Sequence, residues 1–199
     1  FDLKLDKKEK DLYYKSILQE VDFINGMVGE IIEISRLEFG KEELYKEEID
    51  LAFLFKLIEE DLNVRKSIQE ITYIFNYDKD LYCLIDVDKI RRVIQNIIDN
   101  SIKAKATKIE VNIKKLENDI EITIDDNGVG IPEEHLKIVF EKFYRVDKSR
   151  DRKTGGFGLG LAICKGIING HGGKIFFIKK SGGAKICILI PSIKTSTKS

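Results

Sequence analysis

From about Lys7 to Phe39 the apolar positions Tyr14, Ile17, Val21, Ile24, Val28 and Ile31 recur every three or four residues, the period of a helical seam. The spacing predicts one continuous helix of about 50 Å at roughly 1.5 Å per residue, longer than a compact domain needs for its own packing. Gly40 is placed to be its C′ residue. Its other faces are polar, so the seam requires a partner. The helix is expected to serve oligomerisation, with a long core helix as the alternative. The charged stretch Lys41 to Glu48 reads as a linker.

Beyond it, Asp50 is placed to cap a second helix that carries Leu51, Leu54, Phe55, Ile58 and Leu62 on one face. Ile71 to Tyr77 and Leu81 to Ile85 are rich in β-branched and aromatic residues and read as strands. Asp86 would cap a third helix running to about Ala104, with Ile90, Val93, Ile94, Ile97, Ile98 and Ile102 facing inward. Lys108 to Leu116 and Ile120 to Asp125 alternate as a hairpin. A short helix is expected near Glu133 to Phe140 and an apolar one from about Leu159 to Asn169. Lys174 to Ile178 and Ala184 to Ile190 form a last hairpin around Ser181-Gly182-Gly183. Together these predict an α+β fold, a two-layer sandwich with a mixed sheet and its helices on one face.

Composition narrows the function. The 199 residues are 43% hydrophobic, and 34 Lys and Arg balance 34 Asp and Glu, so no global field draws the chain to nucleic acid or an anionic membrane. No apolar run approaches the roughly 20 residues of a membrane helix. The chain opens on Phe1-Asp2-Leu3-Lys4 without an initiator Met or a basic-then-apolar leader, as expected of a piece of something longer. Cys83, Cys164 and Cys187 stand apart in apolar surroundings and read as small buried side chains. With two histidines, His135 and His171, His/Cys metal chemistry is not expected.

Three stretches carry candidate chemistry. Asn96, Asn100 and Lys103 share one stripe of the third helix, with Arg92 on it too, opposite the isoleucines. They could offer amide oxygens to a hard cation and a charge to phosphate, or form a solvated face. Asp125-Asp126-Asn127-Gly128-Val129-Gly130 ends a strand and enters a glycine loop. It is either an Asx-Gly turn or a carboxylate presented to a planar ligand's amino group. Gly155-Gly156-Phe157-Gly158-Leu159-Gly160-Leu161 precedes a helix, as a phosphate cradle or a hinge would.

The order of these stretches resembles the catalytic, ATP-binding domain of sensor histidine kinases, over most of the chain. "RRVIQNIIDNSIK" (Arg91 to Lys103) is similar to the family's N box and "DDNGVGIP" (Asp125 to Pro132) to its first glycine box. "VFEKFYRVD" (Val139 to Asp147) resembles the F box, and "GGFGLGLAICK" (Gly155 to Lys165) the second glycine box. His171-Gly172-Gly173 matches a further family feature, which makes that histidine structural. "ISRLEFGK" (Ile34 to Lys41), with the seam, looks like the second dimerisation helix and its exit into the catalytic domain.

The resemblance implies a Bergerat-type fold at residues 50–199, after a partial dimerisation and phosphotransfer helix at 1–40 and a linker at 41–49. It implies ATP and Mg²⁺ as cofactors. Asp126 would read the adenine amino group, Asn96 would hold Mg²⁺, and Asn100 and Lys103 would line the nucleotide and its phosphates. Tyr144 would lie beside the base and Arg145 face the phosphates, with Asn96, Lys103 and Arg145 supporting catalysis. Gly128, Gly130 and Ile131 belong to the loop at the base. Gly156, Gly158, Leu159, Gly160 and Leu161 would meet the phosphates, and residues from about Val146 to Phe157 would form a lid. Ala104 stands where the family often carries an aromatic, and Phe157 where a small residue is common.

No His-Glu-x-x-Arg type box is present. The phosphoacceptor histidine is therefore expected outside this chain, and His135 is expected to face solvent. The resemblance further implies a homodimer through the dimerisation helices, a response regulator receiver domain as partner, and a cytoplasmic portion of a bacterial membrane-bound protein. Neither nucleic acid nor membrane contact by this portion is expected. A non-catalytic nucleotide-gated module, or a related ATPase or serine kinase of the same fold, is the alternative.

Overall fold

The computed structural model describes residues 6–66, 70–146 and 156–193. The seam helix is α1, Lys7–Glu38. Asp6 and Glu9 form a capping box at its start, each side chain accepting the other's backbone N–H at 2.8 Å. At its end Gly40 adopts φ +61° and Lys41 N–H donates to Arg36 O at 2.8 Å, the left-handed C′ stop that Gly40 was expected to provide.

α1 uses two faces. Tyr14, Ile17, Val21, Ile24, Val28 and Ile31 remain 39–65% exposed, an unpartnered seam. Ile34 is buried and Leu37 packs beside Gly166, so the second half of α1 docks on the rest of the chain by a different stripe.

The stretch expected as a linker ends in a strand, β1 (Glu47–Asp50), which pairs antiparallel with β3 (Tyr82–Ile85). Asp50 closes that strand and also accepts Ala52 N–H at 3.0 Å, capping α2 (Leu51–Lys66). The five apolar residues expected on one face of α2 are all buried. Asp86 caps α3 (Val87–Lys103) by accepting Lys89 N–H, and Ile90, Val93, Ile94, Ile97 and Ile98 are buried beneath it.

The main sheet has five strands in the order β2-β4-β5-β7-β6. They are β2 (Thr72–Tyr77), β4 (Lys108–Lys115), β5 (Asp119–Asp126), β6 (Lys174–Ile178) and β7 (Lys185–Pro191). β2 lies parallel to β4 and the other pairs are antiparallel, so the sheet is mixed as expected. Its register sets Val111, Ile124, Ile186 and Phe177 in one row and Ile113, Ile122, Ile188 and Ile175 in the next. Helices α2, α3 and α4 (Gly160–Gly170) cover this isoleucine face, a two-layer α+β sandwich.

One expected element is shorter. Only Glu133–His135 forms a regular 3₁₀ turn, and the chain to Phe140 continues as hydrogen-bonded turns. Pro132 precedes the turn and provides no side-chain cap for a longer helix.

Candidate nucleotide-binding site

β5 alternates, so Ile120, Ile122, Ile124 and then Asp126 point toward the helices, while Asp125 points away and pairs with Lys180 and Lys185. Asp126 thus stands where the next core residue would be, 6% exposed. Its Oδ1 accepts Gly128 N–H at 2.8 Å and Ala184 N–H at 3.1 Å, and its Oδ2 accepts the Ser101 hydroxyl at 2.8 Å. A carboxylate has about four acceptor positions. Among the described residues the one left lies on Oδ2. Gly128 is needed for this turn, because a Cβ there would sit 2.7 Å from Ala104 O.

A cavity of about 680 Å³ opens beside this carboxylate, between α3, the start of α4 and the ends of β5 and β7. Ile97, Ile124, Val129, Ile131, Val139 and Ile186 line it, together with Asn96, Asn100, Lys103, Tyr144 and Arg145. Such a mixture of apolar wall and convergent polar groups, at this volume, suits a small organic ligand with a charged tail.

Asn96 is wedged against α4. Its Nδ2 donates to Cys164 Sγ at 3.3 Å, and a Cβ on Gly160 would lie 2.6 Å from Nδ2 and 2.8 Å from Oδ1. Burial pushes the Cys164 thiol up to about 12, which leaves it protonated. Gly158 turns the chain into α4 at φ +74°, where a Cβ would meet Tyr144 O at 2.8 Å. A Mg²⁺ site built from protein acids alone is not needed here, since Mg²⁺ keeps waters and shares substrate phosphates. Among the described residues no group of three or more His, Cys, Asp or Glu could hold a metal. The amide oxygens of Asn96 and Asn100 are hard donors that fit Mg²⁺ bound chiefly by phosphate.

Of the residues expected at the site, Asn96, Asn100, Lys103, Asp126, Gly130, Ile131, Tyr144, Arg145, Gly156, Gly158, Gly160 and Leu161 line the cavity. Gly128 stands behind it, donating to Asp126. Leu159 is fully buried in the core rather than lining the cavity. Ala104 lines the wall. Most of the expected lid, and with it Asp147 and Gly155 of the boxes, lies outside the described residues.

His135 does not face open solvent: it is half-buried, and its Nδ1 meets the Tyr144 hydroxyl at 2.5 Å. Arg92 pairs with Glu33 of α1 instead of entering the cavity. Sequence reasoning missed several contributors, Ser101, Phe177 and Glu30 among them. Ser101 was passed over as an ordinary helix residue, although a lone Ser on an isoleucine face signals a buried hydroxyl. Phe177 enters from β6, and only the sheet register places it there. Glu30 enters from α1, whose other faces show in the sequence only as polar.

A buried carboxylate, an apolar slot and an amide-and-cation stripe on this sandwich define a nucleotide-binding domain. Residues 85–194 match the family described as histidine kinase-, DNA gyrase B-, and HSP90-like ATPase, and the chain belongs to that family. Within it the chain is similar to the catalytic part of sensor histidine kinases. It is 35% identical over 171 residues to the sensor histidine kinase WalK of Bacillus subtilis strain 168, covering 83% of this chain and 28% of that protein. The chain thus spans less than a third of that relative's length. The nucleotide-free catalytic domain of histidine kinase ThkA superposes with TM-score 0.65 at 27% identity, covering 76% of this chain and 99% of that one. ThkA in complex with the response regulator protein TrrA superposes with TM-score 0.72 at 24% identity, covering 96% and 54%, which supports the fold.

Proposed function

We propose that this chain binds Mg·ATP and transfers the γ-phosphoryl group to a histidine lying outside it, for relay to the receiver domain of a response regulator. The observation that carries the reading is the Asp126 carboxylate, buried, with one acceptor position left on Oδ2 beside an apolar slot. That is what an exocyclic amino group of adenine requires.

Asp126 accepts from the base, and the Gly128-Val129-Gly130-Ile131 loop closes on the ring with Tyr144. Asn96 offers its carboxamide oxygen to the metal. Asn100 lines the nucleotide, and Lys103 and Arg145 hold the phosphates. Gly156, Gly158, Gly160 and Leu161 bring the backbone of the α4 entry close to the anion, and Leu159 anchors that turn in the core. Bound Mg²⁺ supplies charge neutralisation at the phosphates. In the transfer a nitrogen of the acceptor imidazole forms a bond to the γ-phosphorus while the bond to the bridging oxygen breaks and ADP leaves. Positioning and charge compensation by Asn96, Lys103 and Arg145 are the protein's contribution.

Neither histidine of this chain is an acceptor in this reading. His171 is held by two backbone groups and His135 by Tyr144. The exposed seam of α1 pairs with a second copy in the full-length protein, residues 1–40 forming part of the dimerisation helices and 50–199 the catalytic unit. The solved complex of the related ThkA with a response regulator supports the receiver-domain partner. The full-length protein is anchored in the bacterial membrane with this portion in the cytoplasm, and no helix among the described residues is long and apolar enough to cross one.

Calorimetry of a non-hydrolysable ATP analogue with Mg²⁺ tests the site. Asp126→Asn is expected to weaken binding by about 1.5–3 kcal/mol, the scale of a hydrogen bond to a charged group. Phosphotransfer in trans to a supplied histidine-bearing helix pair then tests the reaction. Nucleotide binding without transfer would favour the nucleotide-gated module instead.

A further inference from the structure

Among the described residues α1 contributes one side chain to the wall of the cavity, Glu30. Its position is not accidental to a loose helix. Upstream, the ring of Phe23 lies 4.5 Å from that of Phe157, centroid to centroid. Downstream, Ile34 is buried and Leu37 packs beside Gly166 of α4. Between these anchors Glu33 pairs with Arg92 and Lys89 of α3, and Lys89 in turn holds Glu42 at 2.6 Å. The placement of α1 beside the cavity is therefore set on both sides of Glu30.

The carboxylate so held is half-buried and faces the stripe of α3 that carries Asn96, Asn100 and Lys103. Burial is the largest influence on it and disfavours its charge; Arg92 and Lys103 oppose that and Glu33 adds to it. It thus stands in the part of the cavity assigned above to the phosphates, so the inference that follows rests on that assignment. A metal-free triphosphate entering there meets a fixed negative charge in a medium less screened than water. A divalent cation between the two reverses the sign of the interaction, because a carboxylate and a phosphate are both hard oxygen donors.

We propose that Glu30 is a specificity-determining residue of the nucleotide pocket: its carboxylate, delivered by α1, makes triphosphate binding dependent on a divalent cation. The dimerisation helix thereby takes part in selecting the form of nucleotide that the catalytic domain accepts. A nucleoside without phosphates is indifferent to it.

The test compares Glu30→Gln with the wild-type chain by calorimetry, using a non-hydrolysable ATP analogue in Mg²⁺ and in EDTA, and adenosine as the phosphate-free probe. Glu30→Gln is expected to bind the metal-free analogue more tightly, by on the order of fivefold, and to lose a similar factor from the ratio of Mg²⁺ to EDTA affinities. Adenosine affinity is expected to stay unchanged. Glu30→Asp retains the charge and is expected to keep most of the wild-type ratio. An unchanged ratio in Glu30→Gln overturns the role of Glu30 while leaving the pocket intact. So does a common factor across all three probes, or a Glu30→Asp ratio equal to that of Glu30→Gln, since either would mean packing alone. Failure of the wild-type chain to bind any of the three overturns the pocket itself, and this role with it.

Discussion

The Ser101 hydroxyl of α3 donates to Asp126 Oδ2 of β5 at 2.8 Å, and both residues are buried. One proton serves two acceptors, since Ile97 O also lies 3.2 Å from the hydroxyl. The shorter bond to the charged oxygen takes it. This pair ties the helix layer to the sheet at the point where the pocket reads its ligand.

Ser101→Ala is accordingly expected to do more than remove a surface hydroxyl. It leaves a buried carboxylate oxygen with one partner fewer, which costs about 1.5–3 kcal/mol of stability for a bond to a charged group. Urea unfolding of the two chains measures it. A loss below about 0.5 kcal/mol would mean that water replaces the hydroxyl, within the range of an ordinary surface substitution.

Gly160→Ala separates the metal end of the pocket from the base end. Alanine is a better helix former than glycine by up to about 1 kcal/mol, so the helix itself gains. The new Cβ, however, would stand 2.6 Å from Asn96 Nδ2, and the carboxamide must turn away. Mg²⁺-dependent affinity for the nucleotide analogue is expected to fall by about 10- to 100-fold, as when a metal ligand loses its orientation. Adenosine binding is expected to hold. Calorimetry with the two ligands checks both arms, and equal losses on both would place the damage in the fold rather than at Asn96.

What the sequence disclosed about this site, and what it withheld, follows from the range of each interaction. Helices α2 and α3 were legible because their isoleucine and leucine stripes obey the local 3.6-residue period, and both later hairpins because alternation and turn residues are also local. β1 was not, for Glu47, Glu48, Ile49 and Asp50 carry no strand pattern of their own and are ordered by pairing with Tyr82–Ile85, beyond α2 in the chain. α1 showed its regular seam and hid its second stripe, Phe23, Ile34 and Leu37, whose spacing makes sense only against α4 and Phe157 before it. The ordered boxes brought twelve of the expected residues to one cavity. Leu159 came to the phosphates with the second glycine box, and only the packing shows that its side chain fills the core.

The thiols offer a probe of the native packing. Burial raises Cys83 and Cys164 to about 12 and Cys187 to about 11. The thiolate is the reactive form, so at pH 8 all three are expected to resist a disulfide reagent in the native chain and to react together in denaturant. Any reaction as the pH approaches 11 should begin at Cys187. Rapid native labelling of Cys164 at pH 8 would show that the wedge holding Asn96 opens readily.

His171 supplies a pH dependence whose sign can be worked out. It is 5% exposed; its Nδ1–H donates to Ile167 O at 2.8 Å, and its Nε2 accepts Asp86 N–H at 2.9 Å. That tautomer is neutral. Protonating Nε2 would set two N–H groups against each other, and burial, the leading cause, holds the imidazole below its ordinary 6.5. The unfolded chain therefore takes up this proton first as the pH falls. Stability from this group is complete above pH 6.5 and declines below it, until the folded-state value is passed. His171→Ala should be less stable at pH 7.5 by about 1–3 kcal/mol, because Asp86 N–H and Ile167 O lose their shared partner. Its stability should also fall less than the wild type's between pH 7.5 and 5.5, and taking that difference between chains cancels His135 and the carboxylates. Parallel declines in urea titrations at the two pH values would mean that His171 accepts the proton inside the fold, with Asp86 N–H turned away from it.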